Sequence, residues 1–323
     1  MIFSVPVMTD SEEIAISMDF GGTSVKFAII QGTEMLDRAP ALQTQEFATP
    51  ELLIEAMVET LKDLVKKWPA ARAVGMGIPC VVDYARGVVG DLTNVPGWHE
   101  VPICRIVSEA TGLPAFVEND ANCMAYAEWK LGAGVGYKDL VCLTIGTGVG
   151  SGIVLNNQFY RGHFGGAGEM GQSCIDYKGR VGHYGNRGAL EDYIGNREIA
   201  ADAQAAYAAV GISKTIEECG PRPLEDAARA GDPVAQQLWR EIARKLASAL
   251  INCCYIINPH AFVIGGGVAG ARELLFDPLR EYMKAQLLPS HFERIELIPA
   301  KFGGNAGLIG AARYALDCLA NKG

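Results

Sequence analysis

The chain has 323 residues, 49% of them hydrophobic and 20% charged, and a formal net charge of −9. That composition excludes a disordered protein and leaves room for two domains with large cores. The acidic balance, with a pI near 5.2, argues against a nucleic-acid-binding surface. The longest apolar stretch, Leu246 to Ile257, is broken by Ser248 and Asn252, which argues against a membrane span. Nine cysteines, scattered and without a C-x-x-C pair, read as reduced buried thiols. The opening MIFSVPVMTDSEE lacks the charged start and apolar run of a secretion signal, so the expected location is cytoplasmic.

In chain order, Ile14–Met18 and Val25–Ile30 read as strands joined by the tight turn Asp19-Phe20-Gly21-Gly22-Thr23. Leu52, Leu53, Ala56, Met57, Leu61, Leu64, Val65 and Trp68 recur at helical spacing and predict a helix over residues 50–68. Ala73–Ile78 and Ala115–Val117 are short strands, and a helix follows from about Ala121 to Leu131. Leu140–Ile145 and Gly152–Leu155 form a second glycine-rich hairpin. A helix spans 189–194, and Val234, Leu238, Ile242, Leu246 and Leu250 mark a long one over 233–257. Ala261–Ile264 runs as a strand into Gly265-Gly266-Gly267, Ile295–Ile298 is the last strand, and a helix from Gly307 to Leu319 closes the chain.

Two features point to chemistry. Turns of small residues let backbone N–H groups approach an anion without side chains in the way, and the two glycine hairpins repeat at a constant offset of 125 residues, Asp19 lying over Thr144. Between them, in FVENDANCMAYAEW, Asp120 stands where a strand gives way to a helix. An acid at a strand end beside phosphate-sized cradles suggests phosphoryl transfer, in which alignment and charge stabilisation do most of the catalysis. Asp120 also reads as a helix N-cap, and the two roles are compatible, because a helix N-terminus stabilises the anion.

With these motifs the chain resembles the ROK family of repressors and sugar kinases in the actin-like ATPase clan. The matching pieces are DFGGTSVKFAII, GMGIPCVVD, NVPGW, ENDANCMAYAEW, GTGVGSGIVLNNQFYRGHFGGAGEMG, GNRGALE, IGGGV and GNAGLIGAA, in order from Ile14 to about Ala315. The resemblance implies an α/β, actin-like (ribonuclease H-like) fold of two lobes with a central cleft. The small lobe takes residues 1–120, with the C-terminal helix 307–323 packing back on it, and the large lobe takes 121–306. It further implies an ATP-dependent kinase acting on the 6-hydroxyl of a hexose, glucose first, with N-acetylmannosamine or N-acetylglucosamine as the alternative and a non-catalytic sugar-binding regulator as the second. Hexose and ATP are the implied partners, with no nucleic acid, no membrane, and a homodimer or homotetramer as the assembly. Only about 13 residues precede the first strand, which leaves little room for a DNA-binding domain and favours the kinase over the repressor.

Carried over residue by residue, the resemblance makes Asp120 the catalytic base. Asn94, Asn119, Glu169, Gln172 and Glu191 become the sugar contacts, amides and carboxylates being suited to hydroxyl groups. Asp19 approaches Mg²⁺ through water. Gly21, Gly22, Thr23, Lys26, Thr147 and Gly148 clamp phosphates, while Gly265, Gly266, Gly267 and Asn305 flank the adenosine. Lys26 reads equally as an exposed strand residue, Glu191 as a solvated helix start, and the glycine triplet as a bare strand-to-helix turn.

The chain departs from the family at its zinc site. The four ligand positions hold Gln172, Gly182, Tyr184 and Ala189, none of which supplies the thiolate or imidazole that tetrahedral zinc prefers. Cys174, His163 and His183 do not restore the spacing. The expectation is a protein without zinc, whose metal is the Mg²⁺ that accompanies ATP.

Overall fold

The computed structural model describes residues 13–182 and 184–321. The opening stretch behind the signal-sequence reading, apart from Glu13, lies outside the described residues, as do His183 and the last two residues. The chain divides into two compact units. The first runs to Ala127 and resumes at Gly307, and the second is Glu128–Ala306.

The first unit is built on strands β1 (Ile14–Phe20), β2 (Ser24–Gln31), β3 (Glu34–Gln43), β4 (Ala71–Ile78) and β7 (Ala115–Asn119), in the order β3-β2-β1-β4-β7. A two-stranded ribbon of β5 (Val82–Asp83) and β6 (Val88–Val89) lies outside that sheet. β1, β2 and β3 are antiparallel, and β4 and β7 join parallel. Large and small residues alternate along the central strands. Ile16, Met18, Phe20, Val74, Met76 and Ile78 form one core with Leu53, Met57 and Leu61 of helix α1 (Pro50–Lys67) and Ile103 and Val107 of α2 (Ile103–Thr111). On the opposite face, Ser17, Ala73 and Gly75 leave room for the C-terminal helix Ala306–Ala320. Ser17 Oγ donates to the Leu308 carbonyl at 2.6 Å, and a Cβ on Gly75 would overlap the Ala311 carbonyl. This close approach requires glycine. α1 begins as its sequence suggests, with Thr49 Oγ1 accepting from the Leu52 N–H and Pro50 at the first helical position.

Helix α3 (Asp120–Leu131) follows β7 and contains the division between the units. The second unit then repeats the architecture of the first. Its strands β8 (Leu140–Ile145), β9 (Val149–Leu155), β10 (Gln158–Tyr160), β11 (Ala261–Gly265) and β12 (Glu296–Pro299) run in the order β10-β9-β8-β11-β12, again three antiparallel and two parallel. Helices α4 (Glu191–Ile194), α5 (Asn196–Ala209), α6 (Pro221–Arg229), α7 (Pro233–Ile256), α8 (Glu273–Gln286) and α9 (Pro289–Phe292) accompany them, and the C-terminal helix is α10. α7 is the spine of the core, burying Trp239, Ile242, Leu246 and Leu250, and Asp232 caps it through the N–H groups of Val234 and Ala235.

The internal repeat is thus present in the topology, but its register differs from the sequence reading. Phe20 pairs with Val25 across the first turn and Ile145 with Val149 across the second. The offset is therefore 125 residues before the turn (145 − 20) and 124 after it (149 − 25). The second turn is one residue shorter, and Phe27 corresponds to Ser151 rather than Gly152. Sequence periodicity also passed over β3, α2, α5, α6 and α8. β3 contains Pro40, which falls where the pairing slips between Leu42 and Ala39, and an edge strand tolerates such a break. α8 contains Pro278, which reads as a helix breaker.

Among the described residues no helix is long and apolar enough to cross a membrane. Five of the nine cysteines are buried, and Cys174 is the exposed one. Burial pushes the thiols of Cys80 and Cys254 up to about 11 and that of Cys253 to about 12.

Candidate active site

The first unit brings together Asp19, Gly21, Gly22, Thr23, Lys26, Asn94, Asn119 and Asp120. Asp19 and Lys26 face each other across β1 and β2, with Nζ 3.9 Å from Oδ2. The Asp19 carboxylate rests on the start of α10, where a Cβ on Gly307 would lie 2.9 Å from Oδ1. Burial holds the Asp19 carboxyl above the usual carboxylate range, and Lys26 offsets part of that rise. The turn itself is pinned from two sides. Thr44 donates its N–H and hydroxyl to the Thr23 carbonyl at 3.0 and 3.1 Å, and Asn94 Nδ2 donates to the Gly22 carbonyl at 2.9 Å. Nothing lies within 4 Å of where a Gly22 side chain would begin, so this backbone is bare toward its surroundings.

The end of β7 settles which residue caps α3. Asn119, and not Asp120, is the cap: its Oδ1 accepts from the Asn122 N–H at 3.1 Å, while its Nδ2 donates to the Cys80 carbonyl. Asp120 occupies the first helical turn, Oδ1 accepting from the Ala121 N–H at 2.8 Å. There the positive end of the helix dipole stabilises an anion. Beneath both lies Glu118, fully buried, with Oε1 accepting from Tyr84 Oη (2.6 Å), the Asn119 N–H (2.9 Å) and Asn122 Nδ2 (2.9 Å). A buried carboxylate holding three donors fixes the strand-to-helix corner on which Asn119 and Asp120 sit. Sequence reading missed this anchor, although a carboxylate in an otherwise apolar strand is itself a signal.

The second unit brings together Thr147, Gly148, Glu169, Gln172 and Glu191. Glu191, at the start of α4, accepts from the Val149 N–H at 2.7 Å through Oε2 and from Gln172 Nε2 at 3.2 Å through Oε1. A Cβ on Gly148 would overlap that carboxylate, so Gly148 owes its missing side chain to Glu191. Nothing lies within 4 Å of where a Gly146 side chain would begin, and Thr147 is exposed at the turn's tip. Glu169 is placed by Gly168 (φ +95°) and Gly171, which press against the Ser151 and Val149 carbonyls. Part of the Glu169 side chain meets solvent, yet its carboxyl is pushed up, first by desolvation and then by the Glu191 charge. Glu191 is therefore a packed, hydrogen-bonded group and not a solvated helix start.

The glycine triplet divides into different roles. Gly266, at φ +82°, leaves no room for a Cβ beside the Ile145 backbone, and a Cβ on Gly265 would lie 2.9 Å from Ala300 Cβ, whereas Gly267 faces open space. Asn305 is exposed at the end of the short 3-10 turn Gly303–Asn305, and the residues leading into that turn are held by Glu128, another buried carboxylate that the sequence reading left unassigned. Glu128 accepts the N–H groups of Lys301, Phe302 and Ala133 at 2.8, 2.9 and 2.9 Å. Of the positions aligned with zinc ligands, Gln172 is bonded to Glu191 as described, and Ala189 pairs with Cys174 in an isolated bridge. The expectation for His183 lies outside the described residues. Among the described residues no three His, Cys, Asp or Glu side chains are grouped to hold a metal ion.

The chain belongs to the ROK family, whose pattern it matches over residues 15–318. It is 33% identical over 317 residues to a glucokinase of Streptomyces coelicolor, covering 94% of this chain and 98% of that one. Among solved structures it is similar to a ROK family glucokinase from Streptomyces griseus in complex with glucose and AMPPNP, at a TM-score of 0.80 and 31% identity, over 94% of this chain and 99% of that one. A xylose repressor of Caldicellulosiruptor bescii is 27% identical over 277 residues, covering 83% of this chain and 69% of the repressor. The fold is accordingly the α/β, actin-like ATPase fold of the ROK sugar kinases.

Proposed function

We propose that the protein is an ATP-dependent hexose kinase that phosphorylates the 6-hydroxyl, with glucose as its first substrate. The observation that carries this reading is the corner at Asn119–Asp120, which a capping amide and the buried Glu118 hold and which sets the Asp120 carboxylate in the first turn of a helix. In the proposed reaction the sugar 6-oxygen attacks the γ-phosphorus, the bond to the bridging oxygen of ADP breaks, and the hydroxyl proton passes to Asp120. An ordinary carboxylate suffices, because the transition state is loose and needs alignment more than early deprotonation. Asn94, Asn119, Glu169 and Glu191 are assigned to the sugar hydroxyls, and the turns at Gly21–Thr23 and Gly146–Gly148, bare at Gly22 and Gly146, to the phosphates.

The residues fit a magnesium nucleotide. Asp19 offers a hard oxygen donor close to a lysine, and Gly22, Gly146 and Gly267 leave backbone uncovered. Mg²⁺ would be approached by Asp19 and would neutralise charge on the phosphates. Asp19→Asn is expected to lower kcat/KM by about 10–100-fold, the usual cost of an outer-shell metal partner. The same change is expected to raise the melting temperature at neutral pH. The folded carboxyl titrates above its unfolded value, so its anion weighs against folding above that pKa, and the cost fades as pH falls through it. Calorimetry at pH 7 and in mild acid checks this, and a variant that melts below the parent at pH 7 contradicts it.

The kinship with a xylose repressor favours a second reading, a sugar-binding regulator without turnover. Measuring ADP release with glucose, mannose, xylose, N-acetylglucosamine and N-acetylmannosamine, beside calorimetric binding of each, separates the two. Turnover of glucose with a kcat/KM at least about tenfold above the N-acetyl sugars is expected. The reverse preference makes the protein an N-acetylhexosamine kinase. Binding with no ADP release makes it a regulator.

A further inference from the structure

Gln172 sits between two partners that dictate its orientation. Glu191 Oε1, 3.2 Å away, belongs to a carboxylate and, when ionised, can only accept, so Gln172 must present its NH₂ group to it. The Gln172 carbonyl oxygen then faces Asn186, whose Nδ2 donates to it at 3.1 Å. Asn186 is the outer end of this relay and its polarity is fixed in turn, which leaves its own Oδ1 buried and without a partner among the described residues. An amide that gives up a hydrogen bond at one end to keep its NH₂ directed at the other is held for that second contact, since an unsatisfied buried acceptor is costly. The segment supports this placement: Asn186 accepts from the Gly182 N–H at 2.8 Å, and the bridges Val181–Arg187 and Cys174–Ala189 close the loop around it. At the inner end Glu191 is tied to the β8–β9 turn through the Val149 N–H.

We propose that Asn186 is a positioning residue for the sugar, acting through Gln172 to hold Glu191 with its accepting edge toward a hexose hydroxyl. The inference rests on the assignment of Glu191 as a sugar contact. The relay runs from a loop amide to the carboxylate through one intermediate amide, and its direction is set by the negative charge at its inner end. Asn186 does not need to touch the sugar for its loss to be felt there.

The polarity gives the test its sign. A residue that merely fills space at this position is replaced best by the isosteric Asn186→Asp and worst by Asn186→Ala. The relay requires the opposite order. An aspartate would set a second acceptor against the Gln172 carbonyl and drive that amide to turn its oxygen on Glu191, whereas alanine removes only one donor. With the sugar that the unaltered protein phosphorylates, Asn186→Ala is expected to raise KM about fivefold and Asn186→Asp more than tenfold, with kcat within about twofold in both. A larger effect for alanine than for aspartate, or equal losses in kcat, overturns the proposal. Solvent exchange of the Gln172 side-chain amide protons, followed by NMR on the ¹⁵N-labelled full chain with Gln172→Ala to assign them, reads the relay without activity. Exchange at least fivefold faster in Asn186→Ala is expected, and unchanged protection overturns the relay. If the unaltered protein phosphorylates no sugar, the kinase reading falls, while the exchange measurement still decides the relay.

Discussion

Asp120→Asn leaves sugar affinity within a few-fold of the parent and lowers turnover by roughly 10²–10⁴, the usual worth of a positioned base. The substitution is isosteric, and the contact that orients the side chain, Oδ1 with the Ala121 N–H, can be kept by an amide oxygen. Asn119 caps α3, so the helix does not depend on Asp120 for its first turn. The lost turnover therefore measures proton acceptance and charge rather than damage to the fold. Parallel calorimetric titration of glucose and a coupled ADP assay separate the two quantities. Near-parental turnover would remove Asp120 from the chemistry, and loss of sugar binding together with turnover would make it a binding residue.

The largest expected effect on stability lies at Gly310. A Cβ there would overlap the Cys123 carbonyl, backbone of α3 that cannot swing aside as a side chain could. Overpacking of this kind costs typically 1–3 kcal/mol and occasionally more, and the rigid contact places Gly310→Ala at the upper end, about 3 kcal/mol. For a unit of this size that lowers its melting temperature by roughly 6–12 °C. Gly270→Ala is the control: nothing lies within 4 Å of its added carbon, and its melting temperature is expected to stay within about 2 °C of the parent. Equal melting temperatures for the two variants would show that α3 and α10 can part at small cost. Because Cys123 lies in the turn after Asp120, Gly310→Ala is also expected to lower turnover beyond its effect on folding.

The contrast between these two sites shows where the sequence was legible. Strands and helices with clean periodicity, such as β1, β8, α1 and α7, could be read directly, because one buried face imposes a period on the residues. The doubled hairpin could be recognised for a similar reason, since glycine is demanded wherever backbone meets backbone or an anion. The one-residue shortening between Ile145 and Val149 was not legible, because pairing register is decided across strands and not along them. Asn119 and Asp120 are both good capping residues, and only the position of the Asn122 N–H distinguishes the cap from its neighbour. The contact of Asn186 with Gln172 joins residues 14 apart through irregular chain, where no period exists to announce it. Glu118 and Glu128 were passed over because a charged residue ordinarily marks a surface, whereas each here is buried among donors that come from other elements.

The arrangement of thiols has a practical consequence. Eight of the nine cysteines are wholly or partly covered, and Cys174 alone stands exposed, two residues beyond Gln172. The protein thus offers one natural point of attachment. A maleimide dye or a surface linker would take hold there on the flank of the segment that carries Gln172, without any engineered residue and without opening either core. Immobilised through that sulfur, every molecule would be tethered by the same loop, so a sensor built from this chain would start with a uniform orientation.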